Sequence, residues 1–135
     1  MSVFALDANI VSAYLKGNSH VINNIEQAVT SGDDILIAPI AYYEVRRGLQ
    51  AIGSVNRMGK FEDLCRMFAV GRFDNGMLDI AADIYVELRA IGRITDDADI
   101  FIAAFCRRHG FTLVTNNIRH FEKIADLNVI DWTAG

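Results

Sequence analysis

Proline is nearly absent from this chain, with Pro39 alone among 135 residues. Helices and strands can therefore run with few covalent interruptions. Cysteine is scarce as well. Cys65 and Cys106 are too few for a disulfide framework and lack the spacing of a redox motif. Their apolar neighbours make both read as buried free thiols. The three histidines, His20, His109 and His120, show no zinc spacing. No apolar run reaches membrane-spanning length. No basic stretch precedes the first apolar run, which argues against a signal peptide. An excess of positive charge is also missing: 13 Lys and Arg face 17 Asp and Glu, a formal net charge of -4. That balance excludes bulk electrostatic capture of nucleic acid. It leaves room for a nucleic-acid enzyme, because carboxylates gathered around a metal lower the net charge by themselves. Repeats, linkers and low-complexity segments are absent. The expectation is a single domain over residues 1–135, in a reducing cytoplasm, with no membrane partner.

What the chain does have is a hydrophobic fraction of 52% arranged in short blocks. Val3-Phe4-Ala5-Leu6 is an apolar run that stops at Asp7, and a helical pattern resumes from Ile10. Residues 21–29 carry helical spacing. Ile35-Leu36-Ile37-Ala38 is a second buried run, stopped by Pro39. A helix from Ile40 has Ala41, Val45, Leu49 and Ile52 as its stripe and ends at Gly53. Residues 57–68 and 78–91 read as amphipathic helices, with a short strand at 70–73 between them. Residues 97–108 are apolar almost all round, so this helix should be central. Thr112-Leu113-Val114 is a strand, a short helix spans 119–125, and residues 129–132 form a last strand. Alternating strands and helices predict an α/β fold. Its central parallel sheet should have about four to five strands, with helices on both faces.

Acidic residues recur where such strands end. A carboxylate at the C-terminal edge of a parallel sheet stands where ligands bind, although Asp7 alone is equally a good helix cap. The second strand leads within one helical turn to Glu44, which alone fits a solvated helix residue. The penultimate strand leads to Thr115, Asn116 and Asn117. Asp96, Asp97 and Asp99 crowd the start of the most apolar helix. One can cap it and all complement its dipole, but three exceed what a cap uses. Asp99 lies on a face continued by Ile102, Ala103 and Phe105, and no Arg or Lys nearby in sequence pairs with it. Carboxylates about 4 Å apart repel by about 1 kcal/mol in water and more when buried, so such a group needs a proton or a cation. Oxygen donors without His or Cys select a hard ion, Mg²⁺ with Mn²⁺ as substitute. His109 fits a helix C-terminus, and His120, near Asn117, fits the surface.

Four segments, in this order, resemble the PIN-domain nucleases and, among them, the VapC-type toxins of bacterial toxin–antitoxin pairs. They are Leu6-Asp7-Ala8-Asn9-Ile10, Tyr43-Glu44-Val45-Arg46-Arg47-Gly48, Asp99-Ile100-Phe101-Ile102-Ala103-Ala104 and Leu113-Val114-Thr115-Asn116-Asn117. The likeness spans essentially the whole chain. It implies a PIN-like fold and an acidic triad of Asp7, Glu44 and Asp99, with Asp7 and Asp99 on the metal. Asn117 falls where many relatives place a fourth acid; as an amide it orients water or ligand without adding charge. Asp96 or Asp97 would compensate. Thr115 would support Asp7 by hydrogen bonding, and Asn9 would do similar work. The likeness also implies RNA as substrate, a homodimer, and an antitoxin whose tail blocks the acidic groove.

The function expected is thus a Mg²⁺-dependent endoribonuclease. Arg46 and Arg47 are the local candidates for RNA backbone contacts, and a salt bridge to another helix or to the antitoxin is the other use open to them. Two rivals stand beside this reading. A receiver-type or phosphoryl-transfer domain would use Asp7 as the phosphorylated group, but it wants a Lys at a strand end or an acid in place of Asn9. A PIN-like module without catalysis would act through protein partners alone, against which the intact Asp7, Glu44 and Asp99 speak.

Overall fold

The computed structural model describes residues 1–134, and its backbone follows the alternation of the apolar blocks. The elements are β1 (Val3–Leu6), α1 (Ala8–Leu15), α2 (Ser19–Thr30), β2 (Asp34–Ile37), α3 (Pro39–Ile52), α4 (Val55–Phe68), α5 (Asn75–Ala90), α6 (Asp97–His109), β3 (Thr112–Val114), α7 (Ile118–Phe121) and β4 (Asn128–Ile130). The four strands form one sheet in the order β2-β1-β3-β4, every pair parallel. Pro39 occupies the first turn of α3, where its missing N–H costs nothing. Gly53 and Gly110 end α3 and α6 in the left-handed conformation.

The core is laid on this sheet. Ala5, Leu6, Ile37, Leu113 and Val114 are fully buried. So are Ile102, Ala103, Ala104 and Cys106 of α6, which makes α6 the central helix its all-round apolarity predicts. Burial and the nearby Asp7 charge push the Cys106 thiol up, so it stays protonated and inert. Cys65 is only half-buried, a departure from the fully buried thiol expected of it.

Several elements differ from expectation: α4 starts at Val55 rather than 57 and α5 at Asn75 rather than 78, because the Ser54 and Asp74 side chains cap them there. The short helix near the C-terminus is α7, closing at Phe121 rather than running to 125. The last strand is residues 128–130 rather than 129–132. The strand expected at 70–73 is a single parallel bridge between Ile37 and Val70 on the free side of β2. The Ile37 N–H donates to the Ala69 carbonyl at 3.1 Å and the Gly71 N–H to the Ile37 carbonyl at 2.8 Å. Just beyond the bridge the Phe105 ring lies against Gly71. A Cβ on residue 71 would stand 2.3 Å from the ring. Phe105 is itself buried and cannot swing away. Gly71→Ala should therefore destabilise the protein by about 1–3 kcal/mol through overpacking, read as a lower melting temperature in thermal denaturation; an unchanged melt would show the ring free to yield.

Two connections position the site. The chain leaves β1 towards β2 on one side, and leaves β3 towards β4 on the other. The carboxyl ends of β1 and β3 therefore flank the point where the winding reverses, and a crevice opens there in sheets of this kind.

Candidate active site

Asp7 sits in that crevice. Its N–H donates to the Val114 carbonyl at 2.9 Å, extending the ladder by one residue beyond β1. Its extended backbone (φ -76°, ψ 163°) makes it the N-cap of α1. The side chain is 3% exposed. Oδ1 accepts the Ala8 N–H at 2.7 Å, and Oδ2 accepts the Thr115 hydroxyl at 2.7 Å. Each carboxylate oxygen thus has one donor and keeps a lone pair. Burial raises the Asp7 pKa above its ordinary value and the nearby Asp99 adds to this, while the two hydrogen bonds and His120 act in the opposite sense. Capping and site geometry are one arrangement here.

Thr115 ends β3 fully buried. Its N–H donates to the Ile130 carbonyl at 3.0 Å, which fixes the backbone and aims the hydroxyl at Asp7. The same hydroxyl accepts the Asn117 N–H at 3.1 Å. The support for Asp7 expected of Thr115 is present. Asn117 is half-buried at the start of α7, and its amide makes no hydrogen bond among the described residues. Asn9 does not reach Asp7. Its Nδ2 donates to Asn116 Oδ1 at 3.2 Å, so it ties the first turn of α1 to the β3–α7 loop instead.

Glu44, on the second turn of α3, is half-buried with 27% of its side chain exposed. Burial raises its pKa first, then the charges of Asp7, Asp99 and Asp96; Arg47 opposes them from 4.0 Å. Asp99, in the first turn of α6, leaves 17% of its side chain to solvent. Asp96 is the N-cap residue of α6 yet makes no capping hydrogen bond, so its carboxylate is free to act elsewhere, and its field reaches Glu44. Asp97 is exposed and acts on neither Asp7 nor Glu44.

His120 is exposed, in keeping with its surface reading, and from there it also reaches the sheet edge. Its Nδ1 lies 2.9 Å from Asp99 Oδ2. The signal was its place on α7, one turn past Asn117 at the same sheet edge, and it is the partner that Asp99 lacked in the sequence. Arg46 and Arg47 separate. Arg46 Nη1 stands 3.8 Å from Glu62 Oε2 on α4 and 3.4 Å from the Tyr42 hydroxyl, so it joins two helices. Arg47 lies over the Tyr43 ring, 5.0 Å from its centroid, and is 60% exposed beside Glu44.

Asp7, Glu44 and Asp99, with Asp96 behind them, make a concentrated negative field, and the acidic neighbours help to raise the proton affinities of Asp7 and Glu44. Among the described residues no three His, Cys, Asp or Glu side chains close into a ready-made metal cage. Mg²⁺ does not require one, since it is bound through one or two carboxylates and keeps several waters. The hard oxygen donors and the spare lone pairs of Asp7 fit such an ion. No helix among the described residues is long and apolar enough to cross a membrane.

The chain resembles a set of known proteins along its length. It is 31% identical over 139 residues to the plasmid stability protein StbB of Pseudomonas syringae pv. tomato, covering 96% of this chain and 98% of that one. It is 26% identical to the tRNA(fMet)-specific endonuclease VapC of Shigella flexneri, covering 98% and 100%. The VapBC2 crystal structure from Rickettsia felis, bound to a promoter DNA fragment, contains a chain that superposes with a TM-score of 0.87. That chain is 25% identical, with 96% and 98% covered. The PIN-domain family model matches residues 4–127, so this chain belongs to the PIN-domain family.

Proposed function

We infer that this chain is an endoribonuclease, the toxin of a VapBC-type toxin–antitoxin pair. The observation that carries the reading is the meeting of Asp7, Glu44 and Asp99 at the crevice between β1 and β3, each within electrostatic reach of the others. Relatives named as VapC ribonucleases support the nuclease, and the Rickettsia felis VapBC2 complex supports an antitoxin partner.

In this reading the whole chain works as one domain, in the cytoplasm and as a homodimer. Nucleases of this family depend on a metal ion, and the oxygen-only donors favour Mg²⁺, with Mn²⁺ as substitute. Asp7 and Asp99 would hold it, directly or through water. When bound, the ion neutralises charge developing on the scissile phosphate and acidifies water at the site. Glu44, whose proton affinity is raised by burial and by its acidic neighbours, aligns the attacking water and takes its proton. Asn117 orients water or substrate with its uncommitted amide, and Asp96 adds to the field. Thr115 holds Asp7 in place, and Asn9 steadies the loop that carries Thr115 and Asn117. Arg47 meets the RNA backbone beside Glu44, whereas Arg46 is held back by Glu62. In-line attack leaves a 5′-phosphate and a 3′-hydroxyl.

Purified protein incubated with labelled tRNA and Mg²⁺ should give discrete fragments with those ends, and adding the antitoxin should stop their formation. Intact RNA under all divalent-ion conditions would favour the module that acts only through protein partners.

A further inference from the structure

A cleft of about 200 Å³ runs from Glu44 along the seam between α1 and α3 to the start of α4. Ser12 and Lys16 lie one turn apart on its α1 wall; Glu44, Gly48 and Ile52 lie at successive turns on its α3 wall. Eight residues of α3 span about 12 Å, so the cleft leads from Glu44 to a pair of cations, Lys16 and Arg57. Neither cation is within salt-bridge distance of a carboxylate among the described residues. Arg57 is exposed in the first turn of α4, an end whose dipole disfavours a positive charge. Nothing inside the fold compensates it.

Gly48 is the second anomaly. It lies mid-helix in α3, without a positive φ, and no atom lies within 4 Å of the place a Cβ would take. Neither backbone nor packing requires glycine, and a helix interior loses stability by carrying it. A bare position one turn from Glu44 does keep the cleft open.

We propose that this cleft is the RNA subsite beside the scissile phosphate. Lys16 and Arg57 take backbone phosphates, and Gly48 leaves room for a sugar and base to lie against α3. The inference rests on the proposed nuclease activity for the class of ligand. Charge complementarity selects a polyanion: two unpaired cations stand at one end, and Glu44, which handles the attacking water in the proposed reaction, stands at the other.

The test uses the non-cleaving Asp7→Asn protein, in EDTA, with a fluorescein-labelled single-stranded oligoribonucleotide of mixed sequence. Gly48→Leu should weaken binding by about tenfold or more, and Gly48→Ala by less. Gly48→Ala should also raise the melting temperature by about 2–4 °C, so stability and affinity move in opposite directions. Lys16→Ala and Arg57→Ala should each reduce the slope of log affinity against log salt by about 0.7; a purely structural role leaves that slope unmoved. Unchanged affinity in a folded Gly48→Leu protein overturns the proposal. Were Gly48→Leu unable to fold, unchanged salt slopes in the two cation variants would overturn it instead. If Gly48→Leu weakens only antitoxin binding, the cleft is a protein-docking surface and the proposal also fails. Failure of wild-type protein to cleave any RNA counts against the nuclease reading, whereas wild-type cleavage with RNA binding unaltered by these substitutions counts against this subsite alone.

Discussion

Asp7→Asn should lower RNA cleavage by about a thousandfold or more and leave the protein folded. Activity falls because the carboxylate at the centre of the acidic group loses its charge and half of its acceptor capacity. The fold survives because the amide can keep both hydrogen bonds. Its oxygen accepts the Ala8 N–H as Oδ1 does now. Its NH₂ faces Thr115, whose hydroxyl has two lone pairs, only one of them taken by the Asn117 N–H. The electrostatics point the same way. The native pKa of Asp7 is raised, so the folded protein binds its proton more tightly than the unfolded chain does. The stability this confers is fully present below the unfolded value of 3.8 and is lost as pH rises through the raised native value. At neutral pH the metal-free protein therefore carries a buried charge at a cost, and the amide removes it. Melting curves of the metal-free variant at pH 7 should match or exceed those of the parent. A variant that unfolds would move Asp7 from chemistry to architecture, and one that still cuts RNA well would dismiss the proposed site.

Chelation has the other large effect. EDTA should stop cleavage completely, and Mg²⁺ or Mn²⁺ should restore it. Both Asp7 and Glu44 hold raised pKa values, in part because acidic neighbours push on them. A cation relieves that repulsion in the folded state only, since the carboxylates disperse on unfolding. Added metal should thus raise the melting temperature, corresponding to about 2.7 kcal/mol at a hundredfold excess over the dissociation constant. Protons compete for the same oxygens, so the gain should shrink as pH falls towards the raised native values. The Asp7→Asn protein should show little of this shift. Cleavage that persists in excess EDTA would remove the metal from the mechanism.

Much of the architecture is local and therefore legible. Val3-Phe4-Ala5-Leu6 followed by Asp7 spells a buried strand feeding a capped helix. The all-round apolarity of residues 97–108 spells a central helix. Gly53 and Gly110 mark helix ends through backbone freedom alone. The short bridge at Val70 was not legible, because its partner Ile37 lies thirty-three positions away along the chain. Nor did the sequence separate Asp96 from Asp97; both are exposed, and it is the charge of Asp96 that reaches Glu44 across from α6 to α3.

The residues of the chain, taken in order, pointed to the main helices and the four strands, and to the sheet edge near which Asp7, Glu44 and Asp99 act on one another. Those follow from periodicity and side-chain type, which each segment carries within itself. Tertiary structure alone decided that His120 answers Asp99, that Glu62 holds Arg46 while Arg47 stays beside Glu44, and that Asn9 serves a loop rather than a carboxylate. Apart from Arg47 and Glu44, which share α3 at a spacing of three, each of these pairs joins segments whose approach is set by how helices settle on the sheet, and that approach is a property of the whole core rather than of either partner.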